Sequence, residues 1–234
     1  MSSFSERVVV VTGGTRGIGA AVAERFRQAG ATVHSPGRAE CDVTDEAAVQ
    51  AYFAQVGRVD VLVNNAGVSS SAPLAKTSAD EWRGQFEVNA TGAFLCTRAV
   101  LPGMRERDFG RIVIVASTAG LAGARYTSGY TASKHAAVGL MRAVAAEVAG
   151  TGVTSNAVCP AFVRTDMTAT SISRIQERTG RDEAAAESAL AAAAPLGRLL
   201  EPDEIAYAVA FFAAPEAAAV NGQTLVLDGG GIQK

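Results

Sequence analysis

Tyr130 and Lys134 stand four residues apart in a helical pattern, a spacing that places both side chains on one face of a helix. A free phenol, with a pKa of about 10, is a poor proton acceptor near neutrality. A neighbouring ammonium favours the phenolate, so the pair can exchange a proton at working pH. Ser117 lies upstream, at the end of the run Arg111–Ala116 that reads as a strand. There its hydroxyl can steady an oxygen on which charge develops. Proton transfer to or from a carbonyl or alcohol oxygen is the chemistry these three types can perform together.

A second constellation occupies the other end of the chain. Thr12-Gly13-Gly14-Thr15-Arg16-Gly17-Ile18-Gly19 sits between the apolar strand pattern Arg7–Val11 and the helical pattern Ile18–Ala29. Glycines there allow a tight turn and a close backbone approach, and the helix N-terminus offers free N–H groups and partial positive charge to a phosphate. The spacing is neither G-x-G-x-x-G nor a Walker loop, which needs Gly-Lys-Ser/Thr.

The elements that must position these groups alternate. Strand patterns at Arg7–Val11, Thr32–Ser35, Val59–Asn64, Arg111–Ala116, Val153–Val158 and Thr224–Leu227 are separated by helical patterns. The helical patterns are Ile18–Ala29, Asp80–Arg105, Tyr130–Ala149 and Glu204–Ala213. This order predicts an α/β fold, a doubly wound parallel sheet of six to seven strands in one domain, 1–234. Between Arg38 and Asp42 only Ala39, Glu40 and Cys41 intervene, too few for a helical crossover. The second crossover helix is therefore expected to be truncated or absent, with its strand shortened or missing. The stretch Thr165–Pro202 holds an Ala-rich helical pattern, Asp182–Ala194, readable as an exposed surface helix or as a mobile substrate lid over about 166–200. Its place after the C-terminal end of a strand favours the lid.

Composition excludes several classes. Lys plus Arg is 21 against 23 for Asp plus Glu, a net charge of −2, which argues against nucleic acid or an anionic membrane surface as partner. The longest apolar runs, at about five residues, fall far short of the roughly 20 that span a bilayer. The start MSSFSERVVVVTGG lacks the order of a secretory leader, so a cytoplasmic protein is expected. Cys41, Cys96 and Cys159 are widely spaced and odd in number, and with only His34 and His135 they suggest neither a disulfide framework nor a metal site.

The glycine turn resembles the T-G-x-x-x-G-x-G turn of the short-chain dehydrogenases/reductases, and the likeness covers essentially the whole chain. Asn64-Asn65-Ala66-Gly67 is similar to that family's N-N-A-G motif, and Asp42-Val43 to its adenine-contacting pair. Asn89 in VNATGAF, Ser117 in VASTAG, and Tyr130 with Lys134 in YTASK resemble its catalytic tetrad. Pro160 to Thr165 looks like its P-G-x-V-x-T segment, and Asp228-Gly229-Gly230 like its closing motif. The resemblance implies a Rossmann-like fold and a metal-independent, NAD(P)-dependent oxidoreductase interconverting a ketone and a secondary alcohol. Tyr130 would be the general acid/base, Lys134 would tune it and hold the nicotinamide ribose, and Ser117 would stabilise the oxyanion. Asn89 would open its helix locally and serve a proton relay through water. Cofactor contacts would come from Gly13, Thr15, Arg16, Gly17, Ile18 and Gly19 in the turn and from Arg38, Asp42 and Val43. Asn65, Ala66, Gly67, Tyr130, Lys134, Pro160, Val163 and Thr165 would complete them.

The residues favour NADP(H) over NAD(H). No acid follows the second strand until Glu40, while Arg16 and Arg38 offer planar donors to a 2′-phosphate. The wider stretch GRIVIVASTAG…YTASKHAAVGL…NAVCPAF resembles 3-oxoacyl-thioester and polyketide ketoreductases, which implies a small-molecule or thioester-bound carbonyl substrate. Arg164, Arg174 and Arg178 are the cations near the lid, balanced by Asp166 and Glu177. A catabolic hydroxy-acid or cyclic-alcohol dehydrogenase is the alternative, and a non-catalytic redox-sensing dinucleotide-binding protein an alternative of another class. The family's habit implies a homotetramer or homodimer built through Asp80–Arg105 and Tyr130–Ala149. Two departures stand out: Ala161 occupies a usual glycine position and predicts strain if φ is positive there, and Ser155 replaces a usually aliphatic residue.

Overall fold

Val8–Val11 (β1) is a run of β-branched side chains of which Val9, Val10 and Val11 are fully buried, as suits a strand covered on both faces. A computed structural model describes residues 4–233; residues 1–3, part of the segment read for a leader, and residue 234 lie outside it. After β1 the chain runs through α1 (Gly17–Gln28), β2 (Thr32–His34), α2 (Glu46–Val56), β3 (Val61–Asn64), α3 (Ala79–Phe86) and α4 (Gly92–Glu106). It continues with β4 (Gly110–Val115), α5 (Ser128–Glu147), β5 (Val153–Pro160), α6 (Asp166–Thr179), α7 (Glu183–Ala191), α8 (Pro202–Ala213) and β6 (Thr224–Leu227).

The six strands form one parallel sheet in the order β2-β1-β3-β4-β5-β6. Alternate side chains serve opposite faces. Val9, Val11, Val61 and Val63 pack with Val22 and Phe26 of α1 and Ile205 and Val209 of α8. Val10, Leu62 and Ile112 pack with Phe53 of α2, Leu95 and Met104 of α4 and Val144 of α5. The chain leaves β1 toward β2 on one side and returns past it to β3 on the other. The crevice at the C-terminal ends of β1 and β3 is thus the switch point at which open α/β sheets bind ligands.

The connection after β2 contains no helix before α2, so the shortened crossover and the six-strand count are as the spacing predicts. The pattern reading had passed over α2 itself. Asp45 caps it, its carboxylate accepting from the backbone N–H groups of Ala47 and Ala48 at 2.9 and 3.2 Å. The single helix expected over Asp80–Arg105 is interrupted: Glu87–Thr91 is a π-helical turn between α3 and α4. The Thr165–Pro202 stretch holds two helices, α6 and α7, instead of the one that the Ala-rich pattern predicts. Ala161 is unstrained, since among the described residues only Glu6, Asp108 and Tyr126 are non-glycines at positive φ. Ser155 is fully buried with its hydroxyl unpaired, and nothing in the structure explains it. Among the described residues no helix is long and apolar enough to cross a membrane.

Candidate active site

The glycine turn lies at the switch point. Gly13 and Gly17 both have positive φ, +61° and +52°. Arg16 is the N-cap of α1 and makes no side-chain cap, and the first turn carries no acid. The leading N–H groups of α1 and its dipole are therefore available to an anion. A Cβ on Gly19 would run into the carbonyl oxygen of Gly13 and lie 2.5 Å from Asn65 Nδ2. The turn is held by its neighbour strand: Asn65 Nδ2 donates to the carbonyls of Thr12 (3.0 Å) and Gly13 (3.1 Å). In return Thr12 Oγ1 accepts from the backbone N–H groups of Asn65 and Ala66 at 3.1 and 3.2 Å. Thr12 thus joins the site as a clamp that the motif contained but the reading of roles had left out.

Around this turn the expected cofactor residues converge. Thr165 of the β5–α6 loop sits 3.1 Å from where a Cβ on Gly17 would be. Pro160 ends β5, and Val163 is fixed by a bridge to Leu200. Thr15 and Arg16 are exposed at the mouth, and Ile18 packs onto the core. Val43 is buried against Gly92. Arg38, highly exposed, donates through Nε to Asp42 at 2.9 Å. Asp42 also accepts from the backbone and hydroxyl of Thr44, and these bonds, with Arg38, hold its carboxyl below the usual range. Glu40 folds back to accept from the Gly37 N–H at 2.8 Å. Arg16 reaches Asp166 of α6 at 3.6 Å.

The four expected catalytic residues also meet. Lys134 is buried and its ammonium donates to the Val115 carbonyl at 2.9 Å, lying 5.8 Å from the centre of the Tyr130 ring. Burial drives its pKa down to about 8. Burial likewise pushes the Tyr130 phenol up, a shift that the nearby Ser117 hydroxyl opposes. Ser117 Oγ accepts from the Ala119 N–H at 3.1 Å, which orients the hydroxyl. Behind it the Cys159 thiol is pushed up to about 11 by burial and is unreactive.

Asn89 lies inside the π turn and is buried, as a locally opened helix at this residue would require. Its side chain does not face Lys134 through a direct bond. It exchanges two bonds with the backbone of Val68, both 2.9 Å, and donates to Ser133 Oγ at 2.9 Å. Gly67 lies between the two, since a Cβ there would be 3.2 Å from Asn89 Oδ1 and 3.6 Å from Lys134 Nζ. The arginine closest to the lid, Arg164, is already spent: it donates to both carboxylate oxygens of Glu187 (2.9 and 3.1 Å) and to Glu201 (3.1 Å).

Comparison with known proteins agrees with this geometry. Residues 33–231 match the family described as Enoyl-(Acyl carrier protein) reductase. The chain is 38% identical to 3-oxoacyl-[acyl-carrier-protein] reductase of Vibrio cholerae over 96% of both chains. It is also 38% identical to acetoacetyl-CoA reductase of Shinella zoogloeoides, over 96% of this chain and 98% of that one. A crystal structure of a variant of actinorhodin polyketide ketoreductase with NADPH superimposes with a TM-score of 0.88 at 36% identity, covering 98% of each chain.

Lys134 gives a signed pH dependence. The unfolded lysine holds its proton to about pH 10.5, the folded one to about pH 8. Between those values the unfolded chain binds more protons, so the contribution of Lys134 to stability rises with pH. Urea unfolding of the cofactor-free protein at pH 7.5 and 9.5 is expected to show the wild type gaining on Lys134→Met as pH increases; a constant difference would contradict the buried-ammonium assignment.

Proposed function

The chain belongs to the short-chain dehydrogenase/reductase family of NAD(P)-dependent oxidoreductases, and from that premise we propose that it interconverts a 3-oxoacyl thioester and the 3-hydroxyacyl thioester, with Tyr130 as the proton-transferring group. The observation that carries this reading is the buried ammonium of Lys134 lying 5.8 Å from the centre of the Tyr130 ring, with the Ser117 hydroxyl near enough to act on the phenol. The bound dinucleotide supplies or accepts the hydride. The glycine turn and the N-terminus of α1 hold its pyrophosphate, Asp42 and Val43 its adenine side. Asn65, Ala66 and Gly67, with Tyr130 and Lys134, hold the ribose side, and Pro160, Val163 and Thr165 the carboxamide. The fit rests on the cradle described above, in which side chains are excluded and helix N–H groups are left unpaired.

Ser117 donates to the substrate oxygen and Tyr130 delivers its proton to the same atom. A phenol whose pKa is raised by burial is suited to the reducing direction, where a proton donor must survive at neutral pH. The family description names an enoyl reduction and the two curated relatives a keto reduction. A serine hydroxyl beside the tyrosine serves a carbonyl oxygen, and so favours the latter. Asn89, through the opened turn, serves the relay that returns a proton to Lys134.

The substrate is apolar away from its carbonyl. Val68, Leu74, Tyr126, Phe162, Met167 and Leu196 are exposed on segments that all follow strand C-termini, at the edge that carries Tyr130. So many large apolar groups at one edge mark a binding surface. Residues 166–200 form the lid. Asp166 pairs with Arg16 of the turn, and Arg174 lies near enough to Glu81 to add to the Ser78 bonds that lower its carboxyl pKa. The lid therefore bridges the cofactor turn and α3.

NADP(H) is the preferred cofactor, through Arg16 and Arg38, with Glu40 limiting the preference. The molecule is a homo-oligomer, joined through a groove of about 480 Å³ between α4 and α5 that Phe94, Leu101 and Leu140 line.

Three outcomes are expected. Tyr130→Phe lowers turnover of acetoacetyl-CoA by about 10³-fold, within the range for a general acid, while cofactor affinity measured by nicotinamide fluorescence holds. Unchanged kcat would refute the role. Arg16→Ala with Arg38→Ala cuts kcat/KM for NADPH and spares NADH; the reverse would assign NAD(H). Sedimentation equilibrium shows a dimer or tetramer that Phe94→Glu dissociates, and a wild-type monomer at all concentrations would refute the assembly.

A further inference from the structure

Gln85 on α3 is a buried amide that the chemistry above leaves unused. Its Nε2 donates to Ser70 Oγ at 3.0 Å and to the Glu81 carbonyl at 3.4 Å. Its Oε1 accepts from the Ser70 N–H at 3.2 Å. The same amide lies against the first turn of α5: a Cβ on Gly129, the residue before Tyr130, would stand 2.6 Å from Nε2. An apolar side chain would fill this space, but only an amide offers a donor and an acceptor to one serine at once.

Ser70 belongs to the loop that leaves β3, and the loop is fixed at alternate residues. Asn89 holds Val68 through two bonds, Gln85 holds Ser70 through two, and the Ala72 N–H donates to the Tyr126 carbonyl at 2.8 Å. The third anchor is unusual, because Tyr126 is an exposed non-glycine at φ +65° on the loop between Ser117 and Tyr130. The outer two anchors are thus tied to the catalytic groups. Gln85, between them, touches both the loop and the helix that carries Tyr130.

We propose that Gln85 is a positioning residue: its two bonds to Ser70 fix loop 67–72 against the start of α5, and so set the wall against which the ketone presents one face. This rests on the ketone reduction proposed above. The wall stands beside Tyr130 and Ser117, so the oxygen must meet both hydroxyls while the carbon chain lies along the loop. A slack loop admits the chain in either sense, and selection between the two alcohol enantiomers weakens. Dinucleotide affinity is unaffected, since the cofactor end of the loop, at Gly67, is held by the two bonds between Asn89 and Val68, which Gln85 does not make.

The test compares wild type, Gln85→Leu, Ser70→Ala and the double variant, with acetoacetyl-CoA and a bulkier 3-oxoacyl-CoA. Gln85→Leu leaves the Ser70 N–H unpaired, whereas Ser70→Ala removes only the bond to the hydroxyl; the ketone KM is expected to rise about tenfold in Gln85→Leu and less in Ser70→Ala, with eroded enantiomer ratio, unchanged NADPH affinity and subadditive effects in the double variant. Amide hydrogen exchange at residues 68–71 is expected to quicken in both single variants, and this readout needs no turnover. A lower Tm with KM, enantiomer ratio and loop exchange all unmoved would overturn the proposal. Should Gln85→Leu not fold, Ser70→Ala alone carries the comparison. If the wild type reduces no ketone, the reading of the reaction fails, and unchanged exchange at 68–71 would still decide against the clamp separately.

Discussion

Placing an ammonium inside a protein is costly, and the active region is arranged around that cost. Lys134 has three donors and the structure satisfies one with the Val115 carbonyl, at the very end of a strand that is buried along its whole length. The remaining neighbours are a phenol ring, a thiol and the backbone around Gly67, none of which carries a full negative charge at neutral pH. Lys134 therefore holds its proton weakly, while the same dry surroundings make the Tyr130 phenol hold its own more tightly. The two residues move in opposite directions for one reason. As pH rises lysine deprotonates first, and the phenol remains a donor through the neutral range.

Support for this arrangement comes from a buried polar edge on the helical rod formed by α3, the π turn and α4. Gln85 and Asn89 bond to Ser70 and Val68 on the segment that leaves β3, and Thr97 bonds to Asn64, the last residue of the strand. The first two draw an otherwise irregular stretch of backbone against a rigid element, which loops at a ligand site require if they are to hold geometry. The π turn has a reason in this setting. An uninterrupted α-helix advances 100° per residue, and one extra residue within the rod changes the phase between its two halves. The turn is centred on Asn89, the residue whose side chain is engaged on both sides, by Val68 and by Ser133.

Much of this was legible in the sequence where a local rule governs. The glycine turn followed from its place between VVVV and an amphipathic helix, and the Tyr130–Lys134 pair from helical spacing. The missing crossover helix followed from chain length alone, because three residues cannot return to a parallel strand. Other features depend on contacts distant in sequence. Gln85 meeting Ser70 and Gly129 requires α3, the β3 loop and α5 to be packed before the bonds exist. The rise of the Tyr130 pKa comes from burial, a property of the whole fold that helical spacing does not show. In the sequence Arg164 reads as one of three cations balanced by Asp166 and Glu177, whereas tertiary packing pairs it with Glu187 and Glu201. The cap of α2 is legible in the sequence, since Asp45 and Glu46 precede an apolar run.

The shortened connection after β2 shows how a fold can lose an element and keep the wall it built. Without a further strand, the Cys41–Val43 segment has no ladder to join, and its position must come from side-chain packing. Cys41 and Val43 are buried with Val10, Val49, Phe53 and Leu95, so the segment is held by the core beneath it. Val43 reaches α4 only because residue 92 is glycine: a Cβ there would lie 2.7 Å from Val43 Cγ2. Asp42 is then oriented by its own turn, through Thr44, with Arg38 adding a second hold from the solvent side. This side of the crevice is thereby carried by one buried valine, one glycine that admits it and a capped turn. Any larger residue at position 92 must displace Val43 before it disturbs the sheet.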